Sequence, residues 1–258
     1  MHLAARRAAE FGVEIAGSVQ FNLPVAMARK DRIVKGIISG IYDALDKRKD
    51  SIRFLRSPAT FVNAHEVETG DDRVIFNKAI IATGARAGIP PVPGLEEVGF
   101  ITNREALALT RMPESLIVIG GGYVGIELAQ MYSRFGSHVV LLGRNRQLTP
   151  GEEPDLARRL AAYLKKEGLE VHTSATVTQV EQRDGLKVVT AHIKGASQQF
   201  SAEQILVAAG RVPNTTGLGL ENAGVEVTKR GAIVVDAQLR TSMPHIFAIG
   251  DVCGGYMF

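Results

Sequence analysis

The stretch LIVIGGGYVG at residues 116–125 decides the fold that this sequence predicts. Its first four residues, 116–119, are all apolar, as in a strand buried on both faces, and the three glycines after them indicate a tight turn. A helical pattern runs from Tyr123 to Phe135 and ends at Gly136, and a second apolar strand follows at residues 138–142. This order predicts a β-α-β unit within an α/β fold.

The glycines of this turn have the spacing of a dinucleotide-binding fingerprint. Gly120 makes the turn, Gly122 lets a pyrophosphate approach the backbone, and Gly125 lets the helix pack against the strand. The free N–H groups and the dipole of a helix N-terminus then stabilise the phosphate charge. We therefore expect Gly120, Gly121, Gly122 and Gly125 to bind a dinucleotide; the alternative is a strand–turn–helix that is glycine-rich by chance.

The residues after the second strand indicate which dinucleotide is bound. An NAD site commonly places an acid about 20 residues beyond the glycines, whereas an NADP site offers arginine to the 2′-phosphate. Here Arg144 and Arg146 follow the strand, and no acid lies between the strand and Glu152. Arg144 is the favoured ligand because a guanidinium binds phosphate in a bidentate manner, with Arg146 in support. NADP is the expected nucleotide, and NAD is the alternative if both arginines are only solvated loop residues.

Helical and strand patterns alternate over the rest of the chain. Helices are expected over residues 2–11, 24–49 and 152–166. Strands are expected at 52–55, 60–62 and 78–81, as a hairpin over 66–76, and within 169–209. The segment Ile89–Gly94, which contains three prolines, suits neither a helix nor a central strand and predicts a domain junction.

Composition excludes several classes of partner. The net charge is +3, but the basic residues are spread along the chain without a nucleic-acid motif, so no nucleic acid is expected. A single cysteine, Cys253, allows no internal disulfide, no CxxC metal site and no redox dithiol. No apolar run approaches the roughly 20 residues of a membrane helix, and no signal-peptide pattern opens the sequence. These features predict a cytoplasmic protein that binds neither a metal ion nor a membrane.

Four motifs in order along the chain carry a resemblance to a known family: Thr83-Gly84 after an apolar strand, the glycine turn followed by Glu127-Leu128-Ala129, Ala209–Asn214, and Ile249-Gly250-Asp251. Together they resemble the flavoprotein disulfide reductases, a family that includes glutathione reductase, dihydrolipoamide dehydrogenase and mercuric reductase. The step Leu142–Asn145 is most similar to mercuric reductase. The resemblance implies two Rossmann-like lobes that bind FAD and NAD(P), with a small antiparallel β meander. Residues 1–92 and 215–258 would form part of the FAD-binding domain, and 93–214 the NAD(P)-binding domain.

The same resemblance implies a role for individual residues. Asp251 would bind the ribityl and pyrophosphate region of FAD, and Thr83 and Gly84 would border that cofactor. Tyr123 would cover the nicotinamide pocket, and Glu127 would pair with a lysine that follows the redox cysteines of the family. Gly210 would lie against NADPH. Without the family context, Asp251 would be interpreted as the cap of a turn or helix.

The family pattern also contains parts that this sequence lacks. In the family, a first glycine-rich turn and a C-x4-C redox pair precede the region matched here, and a dimerisation domain with a His-Glu pair follows it. We therefore expect a segment of a homodimeric parent enzyme that passes hydride from NADPH to FAD and then to a disulfide, small-molecule or metal-ion substrate. Cys253 is expected to be an inert side chain.

Two other functions are consistent with the same residues. One is a nucleotide-binding module without catalysis, and the other is a flavin reductase without redox cysteines, of the ferredoxin-reductase type. The long helix over 24–49, followed by the strand region up to Ile81, favours the disulfide reductases.

Overall fold

The computed structural model describes residues 4, 5 and 7–255, so the helix predicted over residues 2–11 lies partly outside the described residues. A 3₁₀ turn spans Ala8–Phe11 and ends at Gly12 in the left-handed conformation. The chain folds as two compact units. The first contains the residues up to Arg32 together with Ala87–Gly210, and the second contains Ile33–Arg86 together with the residues from Arg211 onward. The borders after Arg86 and Gly210 lie a few residues before the predicted borders at 92 and 214, and the residues up to Arg32, predicted within the FAD-binding domain, group with the first unit.

The helices are α1 (Leu23–Asp46), α2 (Leu95–Val98), α3 (Asn103–Ala106), α4 (Tyr123–Phe135) and α5 (Pro154–Lys166). The first strands are β1 (Ala59–Asn63), β2 (Glu66–Thr69), β3 (Asp72–Ile75), β4 (Ala79–Ile81), β5 (Ala85–Ala87), β6 (Ser115–Ile119) and β7 (His138–Leu142). The remaining strands are β8 (Glu170–His172), β9 (Ala175–Arg183), β10 (Leu186–Ile193), β11 (Ala196–Ala202), β12 (Gln204–Val207), β13 (Arg211–Pro213) and β14 (Ile246–Ala248).

A parallel sheet in the order β12-β6-β7-β8 forms the centre of the first unit. Counted along the chain this order is 4-1-2-3, which in reverse matches the first four strands of the doubly wound order 3-2-1-4-5-6. The residues of β6 and β7 pair in register, from Ser115 opposite His138 to Ile119 opposite Leu142, and the four pairs after the first are apolar. The predicted β-α-β unit and the α/β class are therefore confirmed.

Both faces of this sheet are covered. On one face α4 packs through Leu128, Ala129 and Tyr132, and the hydroxyl of Tyr132 donates to the carbonyl of Ala106 at 2.5 Å. Burial raises the pKa of Tyr132 to about 12, so its hydroxyl stays a hydrogen-bond donor. The antiparallel sheet β11-β10-β9, the predicted meander, packs on the other face through residues such as Val180 and Val189. Burial on both sides explains why the strands are continuously apolar.

The second unit contains a parallel pair, β14 and β4, and a three-stranded antiparallel sheet, β1-β2-β3. Its core contains Phe61, Ile81, Ile233 and Ile246. The hairpin formed by β2 and β3 confirms the prediction over 66–76.

Two sequence expectations need correction. The segment predicted as a strand at 52–55 is not one, because Ile52 and Phe54 lie exposed and Phe54 packs edge-on against Tyr42 instead of entering a sheet. Helix α1 ends at Asp46, three residues before the predicted end at Lys49. Its apolar stripe is largely exposed, since only Leu23 is buried among its residues. Among the residues that the structure describes, no helix combines the length and apolarity needed to cross a membrane.

Gly125 controls how closely α4 approaches the sheet, and this can be tested. A Cβ at Gly125 would lie 2.1 Å from the carbonyl oxygen of Gly120, whereas a Cβ at Gly122 would meet nothing within 4 Å. Gly125→Ala should therefore lower the free energy of unfolding by at least about 1–3 kcal/mol, the usual cost of overpacking. Gly122→Ala is the matched control and should cost less, about 0.5–1 kcal/mol, because alanine meets no clash there and is only a poorer N-cap than glycine. Urea unfolding followed by circular dichroism measures both, and equal midpoints for the two variants would contradict this account of the packing.

Candidate functional site

The glycine turn between β6 and α4 is shaped by close backbone contacts. Gly120 has a φ of +137°, and a Cβ there would lie 2.0 Å from the carbonyl oxygen of Ala208 at the end of β12. Its N–H donates to the carbonyl of Leu142 at 2.9 Å. A side chain at Gly120 is thus excluded by both its conformation and its surroundings. The turn is held to the ends of the strands on either side of β6.

The N-terminus of α4 has the properties of an anion site. Its cap residue is Gly122, which has an extended backbone and no side chain to accept from the first N–H groups of the helix. Those groups have no partner within the helix itself, and the helix dipole adds positive potential at the same place. The open space beside Gly122 leaves room for a ligand to approach the backbone. These properties fit a pyrophosphate.

A cavity of about 460 Å³ lies beside this turn. It is lined by the predicted residues Gly120, Gly121, Gly122, Arg144 and Gly210. Segments to which the sequence analysis gave no binding role complete it, namely Pro90–Val92, the first residues of β9 and Ala208-Ala209. The carboxyl ends of the parallel strands thus meet at one crevice, which is the usual position of a ligand on such a sheet.

The two predicted arginines differ in their position. Arg144 lines the cavity, whereas Arg146 does not, and both side chains are exposed. The backbone around Arg144 is fixed, because Gly143 donates to the carbonyl of His172 at 2.8 Å and Ser174 donates to the carbonyl of Asn145 at 2.7 Å. Within the described part of the chain, no hydrogen bond or ion pair engages the Arg144 guanidinium. The positive charge of Arg144 therefore lies at the cavity, on a backbone segment that hydrogen bonds hold in place.

A second cavity, of about 280 Å³, lies between α4 and α5. Tyr123 and Glu127, the two predicted catalytic residues, line it together with Glu152, and they lie one turn apart on α4. The Tyr123 hydroxyl donates to the carboxylate of Glu152. Sequence analysis noted Glu152 only as the first acid after the strand; its distance along the chain from Tyr123 hid the pairing.

In the second unit, Thr83, Gly84 and Asp251 come from two neighbouring turns. Strands β4 and β14 are parallel and pair Ile81 with Ala248, so the turns after them emerge at the same end of the pair. The Thr83 hydroxyl donates to the carbonyl of Asn214 at 2.8 Å. The Asn214 side chain donates back to the carbonyl of Thr83 at 2.9 Å. The first of these turns is therefore rigid.

Asp251 forms an ion pair with Arg211, with 3.2 Å between a carboxylate oxygen and Nη2. The same Nη2 donates to the carbonyl of Ala85 at 2.9 Å. The Nε of Arg211 is buried and has no hydrogen-bond partner, which leaves a donor of the kind that a polar ligand satisfies. Arg211 lies inside the motif Ala209–Asn214, and its contact with Asp251 was not foreseen. These groups fit the hydroxyls and phosphates of a flavin nucleotide.

The remaining groups considered are the single thiol and possible metal ligands. Burial raises the pKa of the Cys253 thiol, so it carries less thiolate than an exposed cysteine, in line with the inert role expected for it. Over residues 4, 5 and 7–255, no group of three or more His, Cys, Asp or Glu side chains could hold a metal ion.

Comparison with known proteins identifies the family. The family model described as "Pyridine nucleotide-disulphide oxidoreductase" matches residues 4–258. A mercuric reductase of Bacillus cereus is 38% identical over 204 residues, which cover 79% of this chain and 32% of that protein. A dihydrolipoyl dehydrogenase of Geobacillus stearothermophilus is 38% identical over 256 residues, which cover 97% of this chain and 53% of that protein.

A solved structure gives the same result. It is a flavoprotein disulfide reductase of Escherichia coli described as HOCl-induced, with a TM-score of 0.84 and 32% identity. The match covers 93% of this chain and 54% of that one. The chain thus spans between about 32% and 54% of the length of these relatives. The predicted α/β fold and the resemblance found in the motifs are both confirmed, and the chain belongs to the pyridine nucleotide-disulphide oxidoreductase family.

Proposed function

We propose that this chain is the nucleotide-binding part of an FAD-dependent oxidoreductase that takes hydride from NADPH. The observation that carries the proposal is the cavity lined by the glycine turn, by Arg144 and by Gly210 in the turn after β12. An anion site formed by backbone alone binds the pyrophosphate of any dinucleotide. The side chains at the cavity rim then determine which dinucleotide is preferred.

NADPH is favoured over NADH by charge. Arg144 stands where an NAD site has an acid, and its guanidinium can donate two parallel hydrogen bonds to oxygens of a 2′-phosphate. Arg146 would add positive potential from its exposed position without direct contact. No carboxylate among the lining residues of this cavity opposes a phosphate.

FAD, when bound, would supply two-electron transfer between the nicotinamide and a disulfide. In the second unit, the Asp251 carboxylate would accept from ribityl hydroxyls, and the rigid turn at Thr83-Gly84 would border the ring system. Arg211 would hold Asp251 in position through the ion pair and its bond to Ala85. We therefore propose residues 1–92 and 215–258 as part of an FAD-binding domain, and 93–214 as the NAD(P)-binding domain.

Tyr123 and Glu127 would act at the nicotinamide end of the dinucleotide. Tyr123 is the first residue of α4 and follows directly the glycine at which a pyrophosphate would be held. A planar phenol at this position can cover a nicotinamide ring and keep water from it. Glu127, exposed one turn further along α4, would accept a hydrogen bond from a cationic side chain or an amide.

The whole protein is proposed to reduce a disulfide, a small molecule or a metal ion. Support comes from the relatives, which are named mercuric reductase and dihydrolipoyl dehydrogenase. We further propose that the whole protein is a homodimer and acts in the cytoplasm.

The cofactor preference is tested by Arg144→Ala. Loss of a charge-assisted bond to the 2′-phosphate should weaken NADPH binding about ten- to a hundredfold and leave NADH binding nearly unchanged. Arg159→Ala, which removes the same charge from an exposed position outside the cavity, should change neither. Titrations followed by the fluorescence of the bound nicotinamide give the affinities of the unaltered chain and of both variants. Equal affinities of the unaltered chain for NADPH and NADH would contradict the preference.

The position of the pyrophosphate is tested by Gly122→Ala. A methyl group there points into open space, so the chain should still fold, with only the small loss of stability given above, while the approach of a phosphate to the backbone is blocked. NADPH and NADH should both bind about tenfold or more weakly, roughly the loss of one charge-assisted hydrogen bond. Isothermal titration calorimetry gives the affinities, and unchanged binding would place the dinucleotide elsewhere.

The flavin site is tested by Asp251→Asn. The substitution removes the charge that ribityl hydroxyls would bind, and FAD affinity should fall about tenfold. Asp71→Asn, at the exposed tip of the hairpin formed by β2 and β3, is the control and should have no effect. Quenching of flavin fluorescence on titration reports binding. If the unaltered chain binds no FAD, or if both variants bind it as the unaltered chain does, the assignment of Asp251 is wrong.

A further inference from the structure

Lys187 is a lysine on the buried face of a strand. It is the second residue of β10, and side chains alternate between the two faces of a strand. Val189, Ala191 and Ile193, which share its face, are buried in the core between the antiparallel sheet and the parallel sheet. Lys187 itself is only partly exposed. Its amine therefore lies at the edge of an apolar core, where a charge is poorly hydrated.

The amine has two oxygen acceptors from two other segments of the first unit. Its Nζ donates at 2.6 Å to the carbonyl of Gly99, the residue that follows α2. It also donates at 2.7 Å to Oε1 of Gln204, the first residue of β12. Within the part of the chain that the structure describes, no carboxylate forms an ion pair with Lys187.

Two acceptors of this kind fit a neutral amine. An –NH₂ group has two N–H donors and a lone pair, whereas an ammonium has a third N–H that needs a further acceptor. With both hydrogens directed at Gly99 and Gln204, the lone pair is directed away from them. Burial lowers the pKa of Lys187, because the ammonium loses hydration without gaining a counter-ion. A desolvated, neutral lysine amine is a nucleophile.

We propose that Lys187 is a modification site at which small acyl phosphates acylate this chain. The lone pair of the amine attacks the carbonyl carbon of the donor and forms a C–N bond. The C–O bond to phosphate breaks, phosphate leaves with that electron pair, and the amine proton passes to water. A small donor is required because the amine is partly buried between β10, β12 and the residue after α2.

The site is separate from the proposed dinucleotide site. Neither Lys187 nor its two partners line the cavity beside the glycine turn. The proposal therefore goes beyond the proposed function and can be tested without a nucleotide.

Acylation would remove part of the contact between these segments. The product is a secondary amide, whose single N–H can serve only one of the two oxygens, and the positive charge is lost. Gln204 keeps a second donor, since its Oε1 also accepts from the N–H of Ile205 at 3.0 Å. The connection from β10 to Gly99 or to Gln204 is then lost, and the acylated chain should unfold at a lower temperature.

The experiment exposes the folded chain to acetyl phosphate at pH 7 and follows the acetylation of each lysine by mass spectrometry of peptides. Lys194, exposed in the turn between β10 and β11, is the internal reference. Each unit by which a pKa is lowered makes the neutral amine about ten times more abundant, and partial burial offsets some of that gain. Lys187 should therefore react at least about threefold faster than Lys194. This ratio should fall as the pH rises towards about 10.4, the usual pKa of lysine.

Two controls separate the site from a reactive stretch of sequence. In urea the preference for Lys187 should disappear, because it depends on the fold. Gln204→Glu keeps the shape of the side chain but places a carboxylate beside Lys187, which stabilises the ammonium. In this variant Lys187 should react no faster than Lys194.

The proposal is overturned if Lys187 in the folded, unaltered chain reacts no faster than Lys194 at pH 7. A preference that persists in urea, or one that survives Gln204→Glu in a folded variant, would overturn it as well. If Gln204→Glu does not fold, the comparison with urea and the dependence of the ratio on pH decide.

Discussion

The structure of the first unit depends on the contact between Gly125 of α4 and the backbone of the turn at Gly120. The carbonyl oxygen of Gly120 occupies the place that a side chain at Gly125 would need, and Gly120 itself is confined by the end of β12. Because these contacts are between backbone atoms, they cannot be relieved by a change of rotamer. They fix where α4 begins, and the N-terminus of α4 is the feature that makes the crevice an anion site.

Rigid backbone and adaptable side chains contribute separately to the site. The strand order and the glycine turn provide a general position for a pyrophosphate, which any dinucleotide would share. In the proposed function, selectivity would come from side chains beside that turn, with Arg144 on the loop after β7 and Tyr123 at the first position of α4. The second unit has the same division between backbone and side chains. The parallel strands β4 and β14 bring two turns together, and the ion pair between Asp251 and Arg211 supplies the charged groups beside them.

Prediction from sequence was most accurate for the helices and strands that are marked by residues within their own segment. Helix α4 and strand β7 have the expected bounds because their periodicity is strong and glycine marks their ends. The failed strand at 52–55 shows the limit, because its alternating residues suit a strand but find no neighbour with which to pair. Glu152 and Arg211 could not be assigned to their partners, since a pairing between distant parts of the chain leaves no periodic signal. The cavity wall formed by the start of β9 was hidden for the same reason.

The central claim is that one dinucleotide lies across the glycine turn with its adenosine end at Arg144. Backbone amide shifts in ¹⁵N-edited NMR spectra of the chain, recorded during titration with NADPH, test it most directly. The account predicts the largest shifts at Gly120–Gly125, around Arg144 and at Ala208–Gly210, with small shifts in the β1-β2-β3 sheet. Shifts confined to the second unit, or scattered over the surface without saturation, would contradict it.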